Sequence, residues 1–135
     1  MMIGLGSDIC DIRRIEKAIE RFGVRFIDRV FTPPEIARAE RRSGQNRAGT
    51  YAKRFAAKEA CAKALGTGFA RGVFMSDLSV VNLPGGQPTL QLAHGAAVRL
   101  QALMPAGCVP RIDLTMTDEY PYAYAQVIIT AVPGA

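Results

Sequence analysis

Arg54-Phe55-Ala56-Ala57-Lys58-Glu59-Ala60-Cys61-Ala62-Lys63-Ala64-Leu65-Gly66 is the stretch that decides the fold. Alanine and unbranched side chains lose little freedom on winding, so it reads as the end of a long helix that Gly66 stops in a left-handed turn. Tyr51, Phe55, Glu59 and Lys63 stand four apart and line one slowly drifting stripe, in which two charges continue what two aromatics begin. Spacing alone allows Glu59 and Lys63 to be an ordinary ion pair across one turn, worth roughly 0.2–0.5 kcal/mol on a solvated helix. A second stretch, Ile3-Gly4-Leu5-Gly6-Ser7-Asp8-Ile9, opens another reading. A strand with two glycines and one carboxylate can lie tightly on that helix and present Asp8 beside Glu59. Two carboxylates with positions left for water and a substrate phosphate suit Mg2+. Lys63, one turn further on, then meets phosphate oxygens.

Gly6-Ser7-Asp8, then Arg54 to Ala60, then Lys63-Ala64-Leu65-Gly66-Thr67-Gly68, resemble in order and spacing the G-x-D and W/F-x-x-K-E-x-x-x-K motifs of bacterial holo-[acyl-carrier-protein] synthases. These are the short, AcpS-type class of 4′-phosphopantetheinyl transferases. The likeness runs over nearly the whole chain, to the closing strand Ala123–Ile129. It implies transfer of 4′-phosphopantetheine from coenzyme A to a serine of apo acyl carrier protein, in fatty acid biosynthesis. In these terms Asp8 and Glu59 are metal ligands, with Glu59 or a metal-bound water as proton acceptor, and Lys63 stabilises the leaving phosphate. Arg54 and Lys58 are candidate contacts for coenzyme A phosphates, although helix geometry equally leaves Lys58 in solvent. The resemblance also implies a homotrimer with sites between subunits, one giving the metal residues and its neighbour helping to hold coenzyme A. Two positions depart from the pattern: Met116 stands where some relatives carry histidine, and Gln87 where lysine is frequent.

Composition agrees with an enzyme of this kind. The 135 residues suffice for one compact domain over residues 1–135 with a real core, and 49% hydrophobic with 21% charged residues is ordinary for a soluble globular protein. No apolar run is long enough to span a membrane, and the N-terminus has no charged-then-apolar signal. Three widely spaced cysteines, Cys10, Cys61 and Cys108, predict reduced, buried thiols in the cytoplasm, without a disulfide framework or a zinc site with His94. The net charge of +5, from 17 basic against 12 acidic residues, suits nucleic acid, phosphorylated small molecules or an acidic protein. No helix-turn-helix, zinc finger or aromatic–basic interleaving points to nucleic acid.

In chain order, residues 2–9 read as a strand. Asp11 caps a helix to about Phe22 whose apolar face is Ile12, Ile15, Ile19 and Phe22. Arg14, Ala18, Arg21 and Arg25 fall near one line on its other side: either an ordinary solvated face or a docking strip for an acidic carrier protein, as in similar enzymes. A short helical segment, Val24–Phe31, precedes a capping box at Thr32-Pro33-Pro34-Glu35, which opens a helix to about Arg42. Residues 43–46 read as a loop and the long helix begins near Ala48. The loop Gly66–Gly72 lacks the Walker A ending, but its amides from Gly66 onward are candidates to approach a diphosphate. Leu78–Leu83 and Thr89–Leu92 form a hairpin, Ala96–Met104 a helix, and Arg111–Thr117 and Tyr122–Val132 two last strands around the turn Asp118–Pro121. His94 belongs near a helix start. The expected fold is α+β, a mostly antiparallel sheet with helices packed against it. Two rivals share these features: a magnesium-dependent nucleotide or coenzyme A hydrolase, and a non-catalytic basic module that binds an acidic protein.

Overall fold

The computed structural model describes residues 1–134. Strand β1 (Met2–Asp11) leads into helices α1 (Ile12–Phe22), α2 (Val24–Val30), α3 (Pro33–Glu40) and α4 (Gly44–Ala64). A short 3-10 turn (Met75–Asp77) precedes the hairpin β2 (Leu78–Asn82) and β3 (Pro88–Leu92), followed by α5 (His94–Ala102), β4 (Cys108–Glu119) and β5 (Tyr122–Pro133). The main sheet has the order β1-β5-β4 and is antiparallel throughout; β2 and β3 form a separate antiparallel pair. The α+β architecture is therefore the expected one.

The core lies between this sheet and α4. Side chains alternate across a strand, and β5 buries Ala123, Ala125, Val127, Ile129 and Ala131 while Tyr122 and Tyr124 face outward. In β1, Gly4, Gly6, Asp8 and Cys10 pair with Ile129, Val127, Ala125 and Ala123, so the same face of both strands meets α4. The helix answers with Ala56, Ala57, Ala60 and Ala64, all buried. A Cβ on Gly4 would collide with the Ala64 carbonyl oxygen, and one on Gly6 with that of Ala60. Only glycine lets the strand backbone come this close to the helix.

Several expected boundaries shift, each for a local reason. Helix α4 begins at Gly44 because Ser43, extended, already accepts the Arg47 amide, so residues 44–46 are helical rather than loop. Glu119 pairs with Tyr122, so Asp118 and Glu119 extend β4 and only Tyr120-Pro121 turn. Phe22 is not on a buried face: α1 ends at Gly23, the chain turns into α2, and its ring stays exposed. Thr32 does open α3, with its amide donating to Glu35 Oε1 at 2.8 Å. Cys10 and Cys61 are buried as expected, whereas Cys108, near the sheet's end, is only partly so.

The close approach of β1 to α4 is directly testable. Gly6→Ala should cost roughly 1–3 kcal/mol or more, because the added methyl meets backbone that cannot move aside. Gly85→Ala, at a position with nothing within 4 Å of its added Cβ, should leave the urea unfolding midpoint unchanged.

Candidate active site

The glycines that seat β1 on α4 also decide what lies at the end of the contact. Past Gly4 and Gly6, the next residue on that face is Asp8, which arrives alongside the charged edge of α4. Lys63 Nζ donates to Asp8 Oδ1 at 3.2 Å and to the Ser7 carbonyl at 3.0 Å. The ion pair runs from helix to strand, not along the helix to Glu59. Glu59 stands close enough that Asp8 raises its pKa; burial is the larger cause, while Lys63 and Arg14 pull the other way. The stripe drifts as its spacing predicts. Tyr51 is fully buried, with its hydroxyl on Glu40, Phe55 and Glu59 are half-buried, and Lys63 is exposed.

This corner suits a cation. An ammonium already rests between one carboxylate oxygen and one carbonyl, and the Glu59 carboxyl, its pKa raised by burial and then by Asp8, is near enough to feel that charge. Among the described residues no three histidine, cysteine, aspartate or glutamate side chains converge. Asp8 and Glu59 thus offer a two-carboxylate donor set, the kind that leaves a hard divalent ion its waters and substrate oxygens.

Two expected phosphate contacts are not on this surface. Lys58 is completely buried, 2.6 Å from Glu35 Oε1 and donating to the Val30 carbonyl, with Phe31's ring 5.3 Å away. Burial lowers its pKa and Glu35 opposes the shift. The reason is helical: one residue before Glu59 is 100° around the axis, which turns Lys58 into the α2–α3 side. Arg54, one turn earlier on that side, is buried as well, with Nη1 on the Thr50 carbonyl at 3.3 Å. Nor are the first three amides of the loop, Gly66 to Gly68, free. Gly66 N–H bonds the Lys63 carbonyl at 3.0 Å, and Thr67 and Gly68 both bond that of Ala62 at 3.3 and 3.1 Å. Gly66, at φ +79°, closes the helix instead of cradling an anion. Arg99 from α5 completes this end by donating to the Leu65 carbonyl at 2.9 Å.

Arg14, Arg21 and Arg25, read from sequence as either a solvated face or a docking strip, are all exposed. Arg14 lies near the site, since its charge reaches both Glu59 and Cys10. Arg21 stacks 5.1 Å from the Phe22 ring. Arg25 is on α2, beyond the turn at Gly23, and lines a cleft of about 500 Å³ with Phe22, Phe26 and Arg29. Met116 packs against the core, and Gln87 lines a second cleft of about 220 Å³ with Leu83, Pro88, Thr115 and Gln126. Local spacing gives Glu35 only the capping box and carries no signal of its place as Lys58's buried partner.

Comparison with known proteins follows the same residues. Residues 4–125 match the family model described as the 4′-phosphopantetheinyl transferase superfamily. The holo-[acyl-carrier-protein] synthase of Granulibacter bethesdensis is 72% identical over 133 residues, 98% of this chain and 92% of that protein. The crystal structure of the Neisseria meningitidis holo-[acyl-carrier-protein] synthase superposes with a TM-score of 0.81 at 32% identity, covering 96% of this chain and 99% of that one. That of Bacillus anthracis, solved in complex with CoA (3′,5′-ADP), gives 0.76 at 30% identity over 100% and 99%.

Glu59 should register as a residue that the fold tolerates at a cost. A carboxyl whose folded pKa lies above its unfolded one keeps its proton longer in the native state. Stability therefore declines as pH rises from the unfolded value, about 4.3, through the raised one. Glu59→Gln removes that cost, so calorimetry should find its melting temperature above the parent's at pH 7. The difference should close below about pH 4, where both states are protonated.

Proposed function

The chain belongs to the 4′-phosphopantetheinyl transferase superfamily, and from that premise we propose how its site works. The enzyme transfers the 4′-phosphopantetheine group of coenzyme A to a serine of apo acyl carrier protein, giving the holo carrier and adenosine 3′,5′-bisphosphate. The observation that carries the site reading is the Lys63 ammonium lodged on Asp8 beside a carboxyl with a raised pKa.

Asp8 and Glu59 would hold a divalent cation, Mg2+ by the hardness of their oxygen donors. When bound, the ion supplies Lewis-acid polarisation and positioning of the diphosphate. Glu59, pushed toward its protonated form by burial and by Asp8, accepts the serine proton on a carboxylate oxygen, directly or through water. Lys63, its side chain 54% exposed, is free to turn from Asp8 to the phosphate that departs, where its charge is worth most as the bond breaks. Arg14, Arg21 and Arg25 receive the acidic carrier, and Phe22 and Phe26 offer it an apolar footing between the arginines.

With Lys58 and Arg54 turned into the fold, one chain provides few groups for the nucleotide end of coenzyme A. We read the remainder as a neighbour's contribution in a homotrimer. The outer face of the sheet exposes Leu5, Ile9, Tyr122 and Tyr124, an apolar surface of the sort that subunits cover. The cleft lined by Gln87, Pro88 and Thr115 would be the half-site lent to the next subunit. The same reading places the enzyme in the cytoplasm, in service of fatty acid synthesis. Its cysteines, free and two of them buried, suit a reducing compartment.

Incubation with coenzyme A, Mg2+ and an apo carrier protein tests the activity by the carrier's mass. A gain of one phosphopantetheine is expected; coenzyme A hydrolysis without it would mean a hydrolase, and neither would mean a binding module. Within that assay, Lys63→Ala should lower the turnover number by about 100-fold or more while changing coenzyme A affinity little. Near-normal turnover would leave Lys63 as a surface ion pair. Arg14→Glu with Arg21→Glu should raise the Michaelis constant for the carrier but not for coenzyme A. Added salt should act on the parent in the same direction, since exposed charges are screened over roughly 10 Å at 0.1 M.

A further inference from the structure

Helix α4 meets the sheet through alanines, and β1 meets α4 through glycines. Such a surface permits close approach but supplies no ridges to interlock, so by itself it resists rotation of the helix weakly. The demand on that rotation is severe. Side-chain ends lie about 5–6 Å from a helix axis, so a turn of about 20° carries Glu59's carboxylate about 2 Å. A displacement of about 1 Å at reacting groups can cost about 100-fold in rate. Contacts on its other side must set the angle: Tyr51 on Glu40 about two turns before Glu59, and Lys58 on Glu35 directly beside it.

From the structure we infer that Lys58, through its buried pair with Glu35, is the positioning residue that fixes the rotation of α4 and thereby the place of Glu59 beside Asp8. This rests on the reading of Asp8 and Glu59 given above. Lys58 precedes Glu59 directly, so the angle of one determines that of the other. Its ammonium is held from two directions, by Glu35 Oε1 at 2.6 Å and by the Val30 carbonyl at the end of α2. Glu35 is itself immobilised: Oε1 accepts the Thr32 amide and Oε2 the Val80 amide of β2, each at 2.8 Å. Four elements thus close on one ion pair, and neither side chain has any exposure. Buried pairs of this kind contribute little net stability compared with apolar side chains of the same volume. What the pair supplies here is direction, which the alanine face lacks.

The test reads metal binding in the absence of both substrates, using Mn2+ followed by electron paramagnetic resonance, together with kinetics at saturating substrates. Lys58→Met keeps the stem and removes the charge. It should bind Mn2+ at least tenfold more weakly at unchanged stoichiometry, and lose at least tenfold in kcat with the KM for coenzyme A within about threefold of the parent's. Lys58→Arg should recover part of both. A role in folding alone would lower the number of Mn2+ sites and the melting temperature, not the affinity of the sites that remain. If Lys58→Met does not fold, Glu35→Asp, which keeps the pair and draws it back by one methylene, should show the same two losses. Parental Mn2+ affinity in Lys58→Met, or in Glu35→Asp where that variant decides, overturns the inference. A rise in the coenzyme A KM at constant kcat also overturns it, since that is the mark of direct substrate contact. Glu59→Gln is the control for the premise: unchanged Mn2+ affinity there overturns the metal-site reading itself, which the other variants would not reveal.

Discussion

Everything at the site depends on how closely a strand and a helix can approach when neither carries bulk at the contact. Gly4 and Gly6 leave no Cβ, and the helix presents carbonyl oxygens of Ala64 and Ala60 where those Cβ atoms would have been. The contact itself has no chemistry. Its effect is to carry Asp8, two residues beyond Gly6 on the same face, to the flank of α4 where Glu59 and Lys63 emerge. With larger residues at Gly4 or Gly6, the strand would stand off and these groups would be separated by solvent. Burial and closeness are also what push the Glu59 carboxyl toward its protonated form, so the packing acts on reactivity as well as position.

The two lysines of the motif show how strongly environment divides identical side chains. Lys58 and Lys63 lie on one helix, yet one has no exposure and the other is more than half exposed. The ammonium of Lys58 is committed to Glu35 and Val30, in surroundings where an unpaired charge would be very costly. That of Lys63 rests on Asp8 and Ser7 in contact with water, where changing partners is cheap. A fixed charge is suited to holding a helix in place, and a mobile one to meeting a leaving group. Five residues of separation, 140° around the axis once full turns are removed, produce the difference.

Outside the site the surface divides by chemistry. Exposed arginines on α1 and α2 stand around Phe22, whose ring lies in water, and Phe26, which packs partly against the core. The far side of the sheet carries a second apolar group, Leu5 and Ile9 from β1 with Tyr122 and Tyr124 from β5. The first is lined by Arg25 and Arg29, the charge that the proposed acidic carrier would meet, and the second is the face that the proposed trimer would cover. Each shares an element with the site: α1 carries Arg14, whose charge reaches Glu59, and β1 carries Asp8.

Local order along the chain was enough to identify the α+β fold, the capping box at Thr32, the close-packing glycines, and the pairing of Asp8 with the Glu59–Lys63 edge. Each of these rests on short-range regularities: helical spacing, strand alternation, the missing Cβ, and a motif read in order. The family itself was legible for the same reason. What the sequence could not determine was which side of α4 each remaining charge would face, and what would be waiting there. Lys58 stood between a phosphate contact and solvent, because nothing nearby in sequence announces Glu35 as its partner, and Gly66, read as the helix stop, left open where the amides of its turn would bond. Phe22 continued an apolar periodicity that the turn at Gly23 left without a surface to cover. Charge partners are chosen by tertiary packing, since only the folded chain decides where water is excluded, and exclusion of water determines whether a charge is a fixed strut or a working group.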